Sequence, residues 1–147
     1  MRKKGLRVDL IRDKLTEIED SIELVRSHLP QNFEEFSRLG LVKDGIYKRI
    51  EFAVEIVIDI CAIINSDLRL EMPESEEGIV ESLAKNGILT EEMTDKIRRM
   101  KGFGNIVVHR YGKIDDRVAF SILRDNIDDF DEFIDAIEEF LKIQADL

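Results

Sequence analysis

The chain has 147 residues, with 22 Lys and Arg against 32 Asp and Glu, a formal net charge of −10, 44% hydrophobic residues, 8 Gly and 2 Pro. That length makes a single domain, residues 1–147, able to bury a core without metal or disulfide staples, and one cysteine, Cys61, excludes an internal disulfide framework. The apolar run from Ala53 to Ile64 carries Glu55 and Asp59 and is shorter than the roughly 20 residues of a membrane span; the basic start Met1-Arg2-Lys3-Lys4 lacks the apolar core of a secretory signal, so a cytoplasmic protein with no membrane partner is expected.

Apolar residues at steps of four and three predict a first helix near Leu6 to Leu29, through Ile11, Leu15, Ile18, Ile22 and Val25, with Pro30 as its stop. A turn of helix follows near Phe33 to Leu39. The second long helix, near Asp44 to Leu70, has two apolar faces, one through Ile50, Val54, Val57, Cys61 and Ile64 and one through Ala53, Ile56, Ile60 and Ile63, and is expected at the centre. A shorter helix near Glu74 to Asn86 precedes one opening at the N-cap Thr90 and reaching about Val108. A last helix is predicted as one piece from Asp115 to Ala145, with Asp115 and Asp116 favouring its start. No stretch alternates with period two. The expected fold is all-α, an up-and-down antiparallel bundle of four to six helices.

Charge is unevenly spread. From Lys96 to Ile114 there are six cations, Lys96, Arg98, Arg99, Lys101, Arg110 and Lys113, and no acid, whereas Asp115 to Leu147 carries eleven acids and three cations. A basic island in so acidic a chain points to a local anion site; the acidic tail reads as a solvated helix face.

Neither of the two histidines, His28 and His109, has metal-ligand spacing to a cysteine or the other histidine, so no zinc site is expected. His28, before Pro30, suits the negative end of a helix dipole. Glu51, Glu55 and Asp59 share a helix face but lack the Glu-x-x-His partners of a carboxylate metal site. Most informative is Met100-Lys101-Gly102-Phe103-Gly104-Asn105-Ile106-Val107-Val108-His109-Arg110-Tyr111. Asn105 and His109, four apart, face the same way on a helix. Histidine is suited to proton transfer near neutral pH, and surrounding cations suit it to phosphodiester chemistry. The bland alternative is a helix-terminal His bonded to backbone carbonyls, with Tyr111 as a core residue.

The string Met100 to Asp115, preceded by Gly87-Ile88-Leu89 and by Glu55-x-x-x-Asp59-Ile60 on an apolar helix, resembles the HepT family of HEPN-domain proteins, over roughly Tyr47 to the end. The resemblance implies a small α-helical homodimer that brings two motifs into one cleft. It further implies a ribonuclease toxin acting on RNA such as tRNA or mRNA, without metal or cofactor. A cognate MNT-type nucleotidyltransferase antitoxin would neutralise it by adding AMP to the motif tyrosine. On that resemblance His109 matches the catalytic histidine, Tyr111 the AMP acceptor, and Asn105 the polar residue after the family's arginine. Glu55 and Asp59 match acidic positions facing the motif across the bundle or the dimer cleft, and Arg98, Arg99, Lys101, Arg110 and Lys113 would hold RNA.

One departure stands out: the family's arginine, five residues before the histidine, is here Gly104. Glycine has no donor and no charge, and losing one transition-state donor costs about 2.7–4 kcal/mol. The alternative expectation is therefore a catalytically degenerate HEPN bundle that binds a nucleotidyltransferase or a nucleotide without cleaving RNA. A third is a helical interaction module that keeps only the fold.

Overall fold

Helix α1 (Val8–His28) shows why this chain must bundle: Ile11, Leu15, Ile18, Ile22 and Val25 form one buried stripe on an otherwise polar helix, and such a stripe is satisfied only by another helix. Leu29 ends it in extended conformation, with ψ 118°, as steric conflict with the following Pro30 requires. The computed structural model describes residues 5–71, 73–109 and 115–146. After α1 these form α2 (Phe33–Ser37), α3 (Leu41–Asp67), α4 (Glu76–Lys85), α5 (Glu91–His109), α6 (Asp116–Asn126) and α7 (Asp129–Ala145), and the described residues contain no strand.

The two apolar faces of α3 make it the central helix: Ile46, Ile50, Val57, Ile60, Cys61 and Ile64 are all buried, and α1, α4 and α5 pack around it. Each such side chain removed from water stabilises the fold by roughly 1.5–3 kcal/mol. Inter-helix ion pairs fix the directions. Arg7 and Lys14 meet Asp67 and Asp59, so α1 runs antiparallel to α3; Arg12 and Arg26 meet Glu138 and Asp131, so α7 runs antiparallel to α1. Lys96 and Arg99 meet Glu132 and Asp129, which sets α5 antiparallel to α7 and hence to α3. The result is an all-α antiparallel bundle.

The predicted long C-terminal helix is in fact two. The helical bonding lapses at Ile127 and Asp128, where the Phe130 amide donates to the Ile127 carbonyl three residues back. Arg26 of α1 holds Asp128 and Asp131 there, and Asn126 and Asp128 belong to the residues that compete with helical bonding. Apolar periodicity continues across the break because both pieces still face the same core. With the short α2 the described helices number seven.

Two predicted starts are realised through their caps. The Met93 amide donates to Thr90 Oγ1 at 3.0 Å, and the Arg117 and Val118 amides donate to Asp115 Oδ1. His28 Nδ1 lies 2.9 Å from the Leu24 carbonyl oxygen, the helix-terminal arrangement its position suggested.

Candidate functional site at the end of helix α5

Helix α5 carries the motif toward the bundle end where α3 and α6 begin. Its buried residues Met100 and Phe103 line one apolar cleft with Ile50 and Val54 of α3. His109 is the last residue of α5; its side chain, and Arg110, Tyr111 and Lys113, lie outside what the structure describes. Gly104 lies in the α5 backbone and Asn105, beside it, is exposed.

The start of α6 is tied down. Asp116 opens α6, and its carboxylate accepts from Lys43 Nζ and from the Tyr47 hydroxyl, both at 2.6 Å. Tyr47 is buried, with Phe36 edge-on at a centroid distance of 5.9 Å, and Phe36 in turn packs on Phe120 of α6 at 5.0 Å. Partial burial alone would raise the Asp116 pKa; the bonds from Lys43 and Tyr47, with the lysine charge, outweigh it and hold the carboxyl below its ordinary value of 3.8. Burial, then the bond to Asp116 and its charge, push the Tyr47 hydroxyl well above its usual range, so it stays a donor. In the sequence five residues, 110–114, join His109 to the cap Asp115. Sequence reading missed Lys43 and Tyr47: they lie about 70 positions before Asp116, and no local pattern links them.

The described cations of the basic island are not free. Arg98 Nε donates to Glu77 at 2.6 Å and Nη1 to Asp95 at 3.0 Å. Lys101 pairs with Glu76 at 2.9 Å, Arg99 with Asp129 at 3.6 Å, and Lys96 with Glu132. A segment without acids thus draws its counter-charge from α4, α7 and the first turns of α5 itself. Glu76, Glu77 and Glu132 are open to solvent, where ion pairs are weak, so an incoming phosphate can compete for the cations they hold.

Glu55 is exposed on the outer side of α3, and Asp59 pairs with Lys14 of α1 at 3.7 Å. Neither lies on the α3 face that packs against α5, so within one protomer they do not face the motif. Among the described residues no group of three His, Cys, Asp or Glu side chains is placed to hold a metal ion, and no helix is long and apolar enough to cross a membrane. Burial pushes the Cys61 thiol up to about 12, which leaves it an inert core residue.

This architecture has known counterparts. A Shewanella oneidensis protein named mRNA nuclease HepT is 26% identical over 130 residues, 88% of this chain and 97% of its own. A solved structure of a tri-AMPylated Shewanella oneidensis HEPN toxin in complex with MNT antitoxin matches with a TM-score of 0.80 at 26% identity, over 89% of this chain and 98% of that one. A toxin–antitoxin structure with AMP-PNP matches with a TM-score of 0.80 at 25% identity, over 88% of this chain and 97% of that one. The HepT-like ribonuclease family model matches residues 18–137, most of the chain, and the chain belongs to the HepT-like ribonuclease family.

Proposed function

We propose that this protein is the RNA-cleaving toxin of a toxin–antitoxin pair, held in check by an MNT-type nucleotidyltransferase that adds AMP to Tyr111. The observation that carries this is the coincidence of two things: a bundle matching a tri-AMPylated HEPN toxin over nearly its whole length, and a His109-x-Tyr111 sequence beginning at the last residue of α5. In this reading His109 serves as general base and then general acid. It takes the proton of a ribose 2′-hydroxyl as that oxygen bonds to the adjacent phosphorus, and returns a proton to the departing 5′-oxygen as the P–O5′ bond breaks. Asn105, one helical turn before His109, assists it. Adenylylation of Tyr111 adds a bulky anion beside His109 and repels the RNA backbone.

Arg98, Arg99, Lys101, Arg110 and Lys113 hold the RNA by exchanging carboxylate partners for phosphates. Two protomers form the working unit, each supplying a motif to one cleft, and the setting is the cytoplasm. A second reading rests on one observation: Gly104 stands where a transition-state cation is expected, which favours a degenerate bundle that binds the nucleotidyltransferase without cutting RNA. Metal-free cleavage of tRNA and mRNA by wild type, H109A and G104R separates the two. Cutting by wild type that H109A abolishes supports the toxin; cutting by G104R alone, a gain on the order of 100- to 1,000-fold, supports the degenerate reading; cutting that survives H109A sinks both.

A further inference from the structure

Two clefts meet where the last turns of α1 lie beside the first turns of α3. One, of about 240 Å³, has Leu24, Val25, Val42 and Ile46 as its apolar lining and His28 and Arg49 as its polar groups. The other, of about 350 Å³, is lined by Lys48 and Phe52, and the two clefts share Gly45 and Arg49. Val25 and Ile46 are buried while Leu24 and Val42 are 45% and 41% exposed, which gives the first cleft an apolar floor and apolar walls. An apolar concavity with a few polar groups is the usual build of a small-molecule site. Gly45 adds to this. A glycine inside a helix is destabilising relative to alanine, yet a Cβ here would meet nothing within 4 Å. The fold does not require a glycine at this position; the space does.

The charge says what class of molecule fits. The chain carries 32 acids against 22 Lys and Arg, but no acid lines either cleft. Lys48 is neutralised by Glu51 at 2.6 Å. Arg49 has no carboxylate within 4 Å among the described residues; its guanidinium lies instead over the Phe52 ring, 5.8 Å from the centroid. Stacking on a ring face holds a guanidinium without using its N–H donors. His28 Nδ1 is 2.9 Å from the Leu24 carbonyl oxygen; a carbonyl only accepts, so Nδ1 donates and Nε2 is the ring nitrogen left over. One planar fork of unused donors beside an apolar concavity matches a single carboxylate on an apolar body. At about 30 Å³ per water-sized group, the first cleft takes about eight such groups, the heavy-atom count of a six-carbon acid.

We propose that this cleft is a binding site for a small amphipathic carboxylate, its apolar body against Val25 and Ile46 and its carboxylate forked on Arg49. The site is separate from the motif of α5 and does not depend on whether the protein cleaves RNA.

The test titrates the isotope-labelled full chain with hexanoate, following backbone amide shifts, beside hexan-1-ol, which has the apolar body without the charge, and acetate, which has the charge without the body. Hexanoate is expected to saturate with a dissociation constant on the order of 1 mM, moving amides of the last turn of α1 and the first turns of α3, and the other two compounds to bind about tenfold more weakly or not at all. Arg49→Gln is expected to weaken hexanoate about tenfold and leave hexan-1-ol unchanged. Gly45→Leu is expected to melt no lower than wild type, because leucine is the better helix former, and to lose hexanoate binding because its side chain fills the shared space. Hexanoate that does not saturate, shifts that fall elsewhere, hexan-1-ol binding as tightly as hexanoate, or hexanoate binding that survives both substitutions would each overturn the proposal.

Discussion

Where α5 runs between α4 and α7, its cations face carboxylates of which all but Asp129 are largely open to solvent, with Arg98 alone touching Glu77, Glu81 and Asp95. At the bundle end, a single carboxylate, Asp116, joins α6 to α3 through a lysine and a buried tyrosine hydroxyl, each at 2.6 Å. The first region has more pairs; the second ties its carboxylate to the hydroxyl of a buried tyrosine. Water and salt screen the first heavily, whereas removing a partner in the second strands polar groups that water reaches poorly. The number of ion pairs is thus a poor guide to which end of α5 is held firmly.

Phe36→Ala has the largest expected effect because it removes the ring that both Tyr47 and Phe120 pack against. A fully buried phenylalanine truncated to alanine costs about 3–5 kcal/mol, a large share of the 5–15 kcal/mol typical of a domain's whole stability. Chemical denaturation measures it. A loss below about 1 kcal/mol would mean that the aromatic cluster does not support the bundle end, and the contrast drawn above would fail.

Asp116→Ala comes next. It leaves the buried Tyr47 hydroxyl without its acceptor and Lys43 without its counter-charge, and is expected to cost about 1–3 kcal/mol. Tyr47→Phe, which removes only the donor, is expected to cost about 0.5–1.5 kcal/mol. In a double-mutant cycle the two changes are non-additive, because they share one bond.

Acid separates the regions in another way. Asp116 and Asp67 are both held below the ordinary carboxylate value of 3.8 in the folded protein. For each, partial burial raises the value and hydrogen-bond donors, the Lys43 ammonium with the neutral Tyr47 hydroxyl for Asp116 and the Arg7 guanidinium for Asp67, more than reverse it. A carboxyl with a depressed folded pKa binds fewer protons folded than unfolded, so its stabilisation is complete above the unfolded value and drains away as pH falls through the folded one. Urea midpoints are therefore expected to fall below about pH 4 in wild type, and to fall less steeply in Asp116→Asn. Equal slopes would show that Asp116 does not take part.

The same contrast explains what could be read from the sequence. The helices were legible because burial on a helix leaves a 3.6-residue trace in the order of apolar residues, and the caps Thr90 and Asp115 are local chemistry. The division between α6 and α7 was masked because Ile127 and Phe130 keep the apolar period across it; Asn126 and Asp128 are only weak local signals, and Arg26, which holds Asp128 and Asp131, lies about 100 residues earlier. The basic island from Lys96 to Lys101 was visible as composition, but its counter-ions Glu76, Glu77 and Asp129 belong to other helices. Lys43, Tyr47 and Asp116 were invisible as a group for the same reason: each looks ordinary in its own segment, and only the packing of the start of α6 against the start of α3 brings them together. His109, Tyr111 and Gly104 were legible as a motif, through resemblance rather than through periodicity.

The smallest expected effect on stability belongs to the exposed pairs, and it is there that stability and function part. Arg98→Ala and Lys101→Ala each remove contacts between α5 and α4 at 2.6–2.9 Å, yet each is expected to leave the urea midpoint nearly unchanged because the acids they pair with are open to solvent. If these cations hold RNA in the toxin, each substitution also lowers the slope of log affinity against log salt by roughly one. Measuring RNA binding by H109A-background protein across a salt series keeps the substrate intact during the titration. A slope that both substitutions leave unchanged would assign Arg98 and Lys101 to the bundle alone, with α4 acids as their permanent partners rather than placeholders for phosphate.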